Sequence, residues 1–249
     1  MTPTTLMLGT LFAASGVLFV ITGRAPLRYG RHASPDASGV PIRLAWVLIA
    51  VPGLVLCPWT VYDGGGGGVV PLIMLALWML AYGWRGVLYP ALIRGTHRKR
   101  MPWTVVVLGA LFTAALAHLN GLVIAETWRA YPLRWLWSIR FLYGAMLFVA
   151  GMFVSRAADL SLINLRRRGD VGHMLPRGIF FEEVSCPNYL GEMLMWVGWA
   201  ILTWSKPGLA TATLAVALLL PRAVSHHLWY RRTFPNLPPN RRAIVPFVL

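Results

Sequence analysis

Long apolar runs alternate with short arginine-rich breaks along the chain. The runs approach the ~20 residues a helix needs to cross a ~30 Å hydrocarbon layer. This pattern predicts seven transmembrane helices: about Thr4–Gly23, Ile42–Tyr62, Val69–Ile93, Trp103–Glu126, about Trp135–Val154, Tyr189–Ser205 and Pro207–Pro221. The last two are short and joined by a tight Lys206-Pro207 turn, which reads as a helical hairpin. The first run lacks the basic start and small-residue cleavage motif of a signal peptide and reads as an ordinary first helix.

Composition supports this architecture. Hydrophobic residues make up 57% of 249 positions and charged residues only 12%, more apolar sequence than a soluble domain of this length requires. No internal repeat or second soluble domain is visible, so the chain reads as a single domain, 1–249. The net charge of +15 is ordered rather than scattered. Arg24, Arg28, Arg31 and Arg43 follow the first helix, and Arg94, Arg98, Lys99 and Arg100 follow the third. Arg156, Arg166, Arg167, Arg168 and Arg177 follow the fifth, and Arg222, Arg231, Arg232, Arg241 and Arg242 follow the seventh. All four groups fall on one side of a seven-helix chain. The positive-inside rule makes that side cytoplasmic and places the N-terminus outside. Arginines spread over membrane loops argue against nucleic acid as the partner and for contact with lipid headgroups. Arginine far outnumbers lysine, which points to a GC-rich bacterial genome and an inner membrane.

Several polar residues exceed what topology explains. Glu192 starts an otherwise apolar segment, where an ionisable group costs on the order of 3 kcal/mol unless it meets a cavity or a partner. Asn188, Glu192, Met195 and Trp199 recur at helical spacing and share one face. Tyr82, Arg85 and Tyr89 form a stripe on the third helix, and Arg140 in the fifth is a natural partner for Glu192 or for a cofactor. A buried tyrosine can polarise a carbonyl oxygen and protonate the enolate that develops. The same pattern fits a tyrosine merely satisfied within the bundle.

The long loop of about 155–188 holds Asp159, Asn164, Arg166, Arg167, Arg168, Asp170, His173 and Arg177. Arg222, His226 and Tyr230 stand at i, i+4 and i+8, and Arg241 follows. The planar fork of arginine suits phosphate oxygens, and such a face can close over a dinucleotide or simply lie at the membrane interface. Adjacent His226 and His227 point apart on a helix, so no metal site is expected. Cys57 and Cys186 fall at opposite ends and are expected to be free. The Gly64–Gly68 run reads as a turn on the outer side.

The C-terminal half resembles the steroid 5α-reductases. The likeness is densest in Pro176-Arg177-Gly178, in Pro187-Asn188-Tyr189-Leu190-Gly191-Glu192 with Trp196, and in Thr203-Trp204-Ser205. It continues through Arg222-Ala223, His226-His227, Tyr230, Phe234 and Arg241-Arg242-Ala243-Ile244-Val245-Pro246-Phe247. It reaches back to Ile139-Arg140-Phe141, Gly151-Met152, Asp159 and Arg166, and more faintly to Tyr29-Gly30-Arg31-His32 and Ala45-Trp46. The resemblance implies an all-α, polytopic, seven-helix membrane reductase whose cytoplasmic loops close a site for NADPH. Hydride would pass to the β-carbon of an α,β-unsaturated ketone such as a 3-oxo-Δ4-steroid. Family cofactor contacts fall on Asp159, Arg166, Asn188, Glu192, Arg222, His226, Tyr230 and Arg241, with Arg140 and His173 as further candidates, and the substrate tyrosine falls on Tyr82. Residues 1–138 would form the divergent substrate side and 139–249 the cofactor part.

The chain departs from the pattern at the substrate end. The family's Gln-Glu pair in helix two reads Ile49-Ala50, and an Arg near the start of helix four reads Leu108. An Asn, a Tyr and an Arg of the cofactor site read Ser155, His173 and Met174. Arg85, His118 or Asn120 could stand in for the missing Glu, or Tyr82 could act alone. The expectation is therefore a monomeric NADPH-dependent ene-reductase acting on a lipophilic enone. Its rivals are a membrane methyltransferase of the isoprenylcysteine type, using S-adenosylmethionine, and a non-enzymatic membrane protein.

Overall fold

A computed structural model describes residues 2–25, 38–93, 99–126, 131–165, 174–178 and 180–245. The chain folds as an all-α polytopic membrane protein. Its long helices are α1 (Pro3–Arg24), α2 (Ile42–Asp63), α3 (Val69–Leu92), α4 (Trp103–Glu126), α5 (Ile139–Leu165), α6 (Pro187–Thr203) and α7 (Lys206–Thr233). Among the described residues, six are long and apolar enough to span a bilayer; α6, with 17 residues, falls below that length.

Two helix ends and one internal turn differ from the sequence expectation, and each moves chemistry. Helix α5 runs on to Leu165 instead of stopping near Val154, so Arg156 and Asp159 are helical rather than in a loop. The segment Ser155-Arg156-Ala157-Ala158-Asp159 has the alanines to propagate a helix, and neighbouring helices neutralise its charges. Helix α7 passes through Pro221 and ends at Thr233, so Arg222, His226 and Tyr230 lie on one continuous helix. Within α3, residues Trp84–Leu88 form a π-helical turn.

The α6–α7 hairpin forms as expected. Trp204 stops α6 in a left-handed conformation (φ 44°). Ser205 then caps α7 by accepting from the Gly208 amide at 3.0 Å, with Pro207 in the first turn.

The core centres on Trp78, Trp199, Met74 and Phe148, all fully buried. Both indoles find acceptors: Trp78 donates to the Gly53 carbonyl at 2.9 Å and Trp199 to Asn120 Oδ1 at 2.8 Å. Helices α5 and α6 run antiparallel and touch along their backbones. A Cβ on Gly151 would lie 2.5 Å from the Gly191 carbonyl oxygen, and one on Gly198 would lie 2.6 Å from that of Gly144. Small residues allow this approach where lipid offers no hydrophobic drive for helix association.

The arginine-rich end is closed by short extended pieces. Strands β1 (Val40–Pro41) and β2 (Arg100–Met101) pair antiparallel, Val40 opposite Met101. The tail pairs in parallel with the entry to α6, Val184 opposite Arg242. There the Ser185 amide donates to the Arg242 carbonyl at 2.8 Å and the Arg242 amide to that of Glu183 at 2.8 Å. Cys57 and Cys186 are both buried and free.

Candidate functional site

The glycine contact between α5 and α6 sets which polar residues meet. It brings Asp159 of α5 beside Asn188 of α6, whose Nδ2 donates to Asp159 Oδ1 at 3.2 Å. Helix α3 supplies the cation between them: Arg85 Nη1 lies 3.2 Å from Asp159 Oδ2, and Arg85 Nε lies 2.6 Å from Glu192 Oε1. Arg156 Nη1 lies 3.8 Å from the same Glu192 oxygen. Asp159 is 2% exposed and Glu192 9%, so burial makes each charge depend on its partners.

Two consecutive side chains of α3, at the start of its π turn, reach the cluster. In the structure Trp84 Nε1 donates to Asp159 Oδ2 at 3.2 Å while Arg85 reaches both acids. Such turns recur at functional sites. Trp84 and Arg156 were not among the candidates from sequence. In the sequence Arg156 reads as one of the loop arginines, because the apolar run ends before it, and nothing in the spacing marks Trp84.

Tyr82 lies one helical turn deeper on α3. Its ring packs face-on against α2, where a Cβ on Gly53 would stand 2.5 Å from Tyr82 Cδ1. It also stacks on Trp78 (centroids 4.7 Å) and Trp196 (5.7 Å). The hydroxyl lies beside the Thr113 side chain, with Glu192 among its charged neighbours. Trp196 lies one turn beyond Glu192, so the Tyr82 ring touches the helix that carries Asn188 and Glu192.

A second cluster lies toward the arginine-rich end. Arg222 and Tyr230 of α7 are buried, and Arg222 Nε donates to the Tyr189 hydroxyl at 3.0 Å. His226 packs edge-on against Tyr189 (5.7 Å). Arg241 is 2% exposed, and its Nη2 donates to the Pro176 carbonyl at 3.1 Å. Its Nε and Nη1 have no partner among the described residues. Burial, aided by Arg177, draws the Arg241 guanidinium below the ordinary arginine range, against the pull of Glu182 and Tyr230.

The structure corrects several expectations. Arg140 is not the partner of Glu192. It sits at the opposite end of α5, exposed, with its guanidinium 4.3 Å over the Trp204 ring. Sixteen residues of helix, about 24 Å of rise, separate it from Arg156. Arg85 and Arg156 take the place expected for it. Asn120 and His118 do not replace the helix-two acid either. Asn120 is committed to Trp199 and to Thr211 (3.0 Å), and His118 Nδ1 meets Thr60 Oγ1 at 3.3 Å. Ala50, which stands where the acid was expected, is buried against α3; a Cβ on Gly86 would lie 2.7 Å from its own Cβ. Arg166 and His173 lie outside the described residues. No group of three or more His, Cys, Asp or Glu side chains able to hold a metal occurs among the described residues.

Comparison with known proteins now bears on this geometry. The family model described as 3-oxo-5-alpha-steroid 4-dehydrogenase matches residues 99–249. The chain belongs to this family. It is 37% identical over 227 residues to 3-oxo-5-alpha-steroid 4-dehydrogenase 1 of Macaca fascicularis, covering 89% of this chain and 85% of that one. It is 35% identical over 250 residues to the Bos taurus protein of the same name, covering 97% and 96%. It is 35% identical over 226 residues to a steroid 5-alpha-reductase of Solanum lycopersicum, covering 88% and 87%. Membership makes the chain an oxidoreductase of the steroid 5-alpha-reductase type, built as a multi-pass membrane protein.

Proposed function

We infer that the protein is an NADPH-dependent ene-reductase acting on the C=C bond of a lipophilic α,β-unsaturated ketone, a 3-oxo-Δ4-steroid or a molecule of similar shape. The observation that carries this reading is the joined cluster of Asp159, Arg85, Glu192 and Asn188, with Tyr82 packed on Trp196 of the same helix α6.

The residues present fit a reduced nicotinamide dinucleotide phosphate. Glu192 engages its arginines through Oε1 and Asn188 engages Asp159 through Nδ2. Their other oxygens are left as two acceptors without a partner among the described residues, which suits a carboxamide NH2. Arg241 offers two buried N–H-bearing nitrogens that have no partner among the described residues and Arg222 a further buried cation, a donor set suited to phosphate. When bound, the dinucleotide supplies the hydride.

The protein's own residues then do the following. Asp159 orients Asn188, and Arg85 orients Glu192 against the same acid. The Trp78–Trp196 stack and Gly53 hold the Tyr82 ring. The Tyr82 hydroxyl donates to the ketone oxygen, stabilises the enolate as hydride arrives at the β-carbon, and returns a proton. No helix-two carboxylate takes part, because Ala50 and Gly86 leave it no room.

The chain works as one catalytic unit, with residues 139–249 carrying the cofactor part and a bilayer-dissolved substrate entering between helices. Arginine distribution supports an N-terminus outside and a C-terminus in the cytoplasm, in a bacterial inner membrane, and a monomer suffices for the site. The test is NADPH consumption by purified protein with a panel of enones, compared with thermal stabilisation by NADPH and by S-adenosylmethionine. Stabilisation by the latter alone would replace the reductase reading with a methyltransferase.

A further inference from the structure

We propose that Arg156 is the second counter-cation of Glu192 and thereby keeps this carboxylate a hydrogen-bond acceptor; the inference deepens the cofactor reading above and rests on it. Two carboxylates, Asp159 and Glu192, are buried in one cluster, and Arg85 brings a single positive charge to both. Asp159 has two further donors, Trp84 Nε1 and Asn188 Nδ2, each at 3.2 Å. Glu192 has no neutral donor among the described residues. The charged groups around it are Arg85 of α3 with Asp159 and Arg156 of α5, and Tyr82 is a further titratable neighbour. Without Arg156 the cluster would hold two negative charges against one positive in a low-dielectric interior, a state relieved by proton uptake. A protonated Glu192 would no longer present its remaining oxygen purely as an acceptor to a carboxamide.

The setting of Arg156 fits a cation placed for its field rather than for a short bond. Arg85 Nε already occupies Glu192 Oε1 at 2.6 Å, so Arg156 stands off at 3.8 Å. Its Nη2 lies 3.4 Å from the Ala81 carbonyl and 3.8 Å from Met195 Sδ. Its Nη1 lies 3.4 Å from Ser155 Oγ, and its Cζ lies 5.2 Å from the Trp84 ring centroid. These neighbours come from the same three helices that build the cluster. Arg156 acts through Glu192, so it is a positioning residue.

The experiment compares Arg156→Gln, Arg156→Lys, Glu192→Gln and the Arg156→Gln/Glu192→Gln double variant, purified in detergent. Infrared difference spectra of the cofactor-free proteins should show a new carboxylic-acid C=O band in Arg156→Gln. That band should be absent from the wild type and from the double variant. NADPH affinity should fall about thirtyfold or more in Arg156→Gln, the low end for loss of one partner of a buried charge pair, and return with Arg156→Lys. In the Glu192→Gln background the same change should have little effect. An equal loss in both backgrounds, or no new band, overturns the proposal. A wild-type protein without NADPH affinity would sink the cofactor reading separately, and the infrared comparison would still decide the role of Arg156.

Discussion

Gly151 of α5 and Gly191 of α6 meet backbone to backbone: a Cβ on either would stand 2.5 Å from the other's carbonyl oxygen. This contact brings Asp159 to Asn188, so packing and site are one structure. Gly151→Ala forces the helices apart or strains them, at a cost of about 1–3 kcal/mol. The expected result is a lowered Tm in detergent together with weakened NADPH binding. Gly9→Ala, in open space on α1, serves as control and should leave both unchanged. Full NADPH affinity in Gly151→Ala would dissociate the site from this helix contact.

Arg85 bridges two acids with different nitrogens, Nε to Glu192 and Nη1 to Asp159. A lysine cannot reproduce that fork. Arg85→Met leaves both carboxylates short of a cation, and removing one partner of a buried pair costs about 3–5 kcal/mol. Arg85→Lys should recover only part of the loss. Thermal unfolding of the three proteins checks this, and a lysine variant as stable as wild type would refute the bridging role.

Tyr82→Phe keeps the ring packed on Gly53, Trp78 and Trp196 and removes only the hydroxyl. Turnover of an enone should fall about 10²–10⁴-fold, the range for loss of a positioned proton donor, while the NADPH dissociation constant stays near wild type. Single-turnover oxidation of bound NADPH by an enone measures the first and fluorescence titration the second. Undiminished turnover would remove Tyr82 from the chemistry.

Ala50→Glu restores the carboxylate of the family pattern to α2. Because Ala50 is packed against Gly86, the longer side chain should lower stability by about 1–3 kcal/mol through overpacking alone, without raising enone turnover. A paired change at Ile49 alone, to Gln, should be milder, since that side chain is only partly buried. A stable Ala50→Glu protein with faster turnover would mean that the α2–α3 contact can open to admit an acid.

By itself the sequence determined that the chain is an all-α polytopic membrane protein, which of its breaks carry the arginines, and that Asn188, Glu192 and Tyr82 are too polar for lipid. These follow from transfer free energy, which each residue contributes nearly independently of its distant neighbours. The motif from Pro187 to Glu192 also marked one face of α6 before any helix was placed beside it. What meets that face was decided only by tertiary packing. Arg140 and Arg156 are equally charged and sit on the same helix, yet one stacks on Trp204 in the open and the other faces Glu192. The π turn at Trp84, the passage of α5 beyond Val154 and the close fit of Ala50 on Gly86 likewise depend on neighbouring helices. The reason is physical: a buried charge takes its partner from the register between helices. Here that register is set by contacts between glycine backbones, and the apolar period of either helix alone does not contain it.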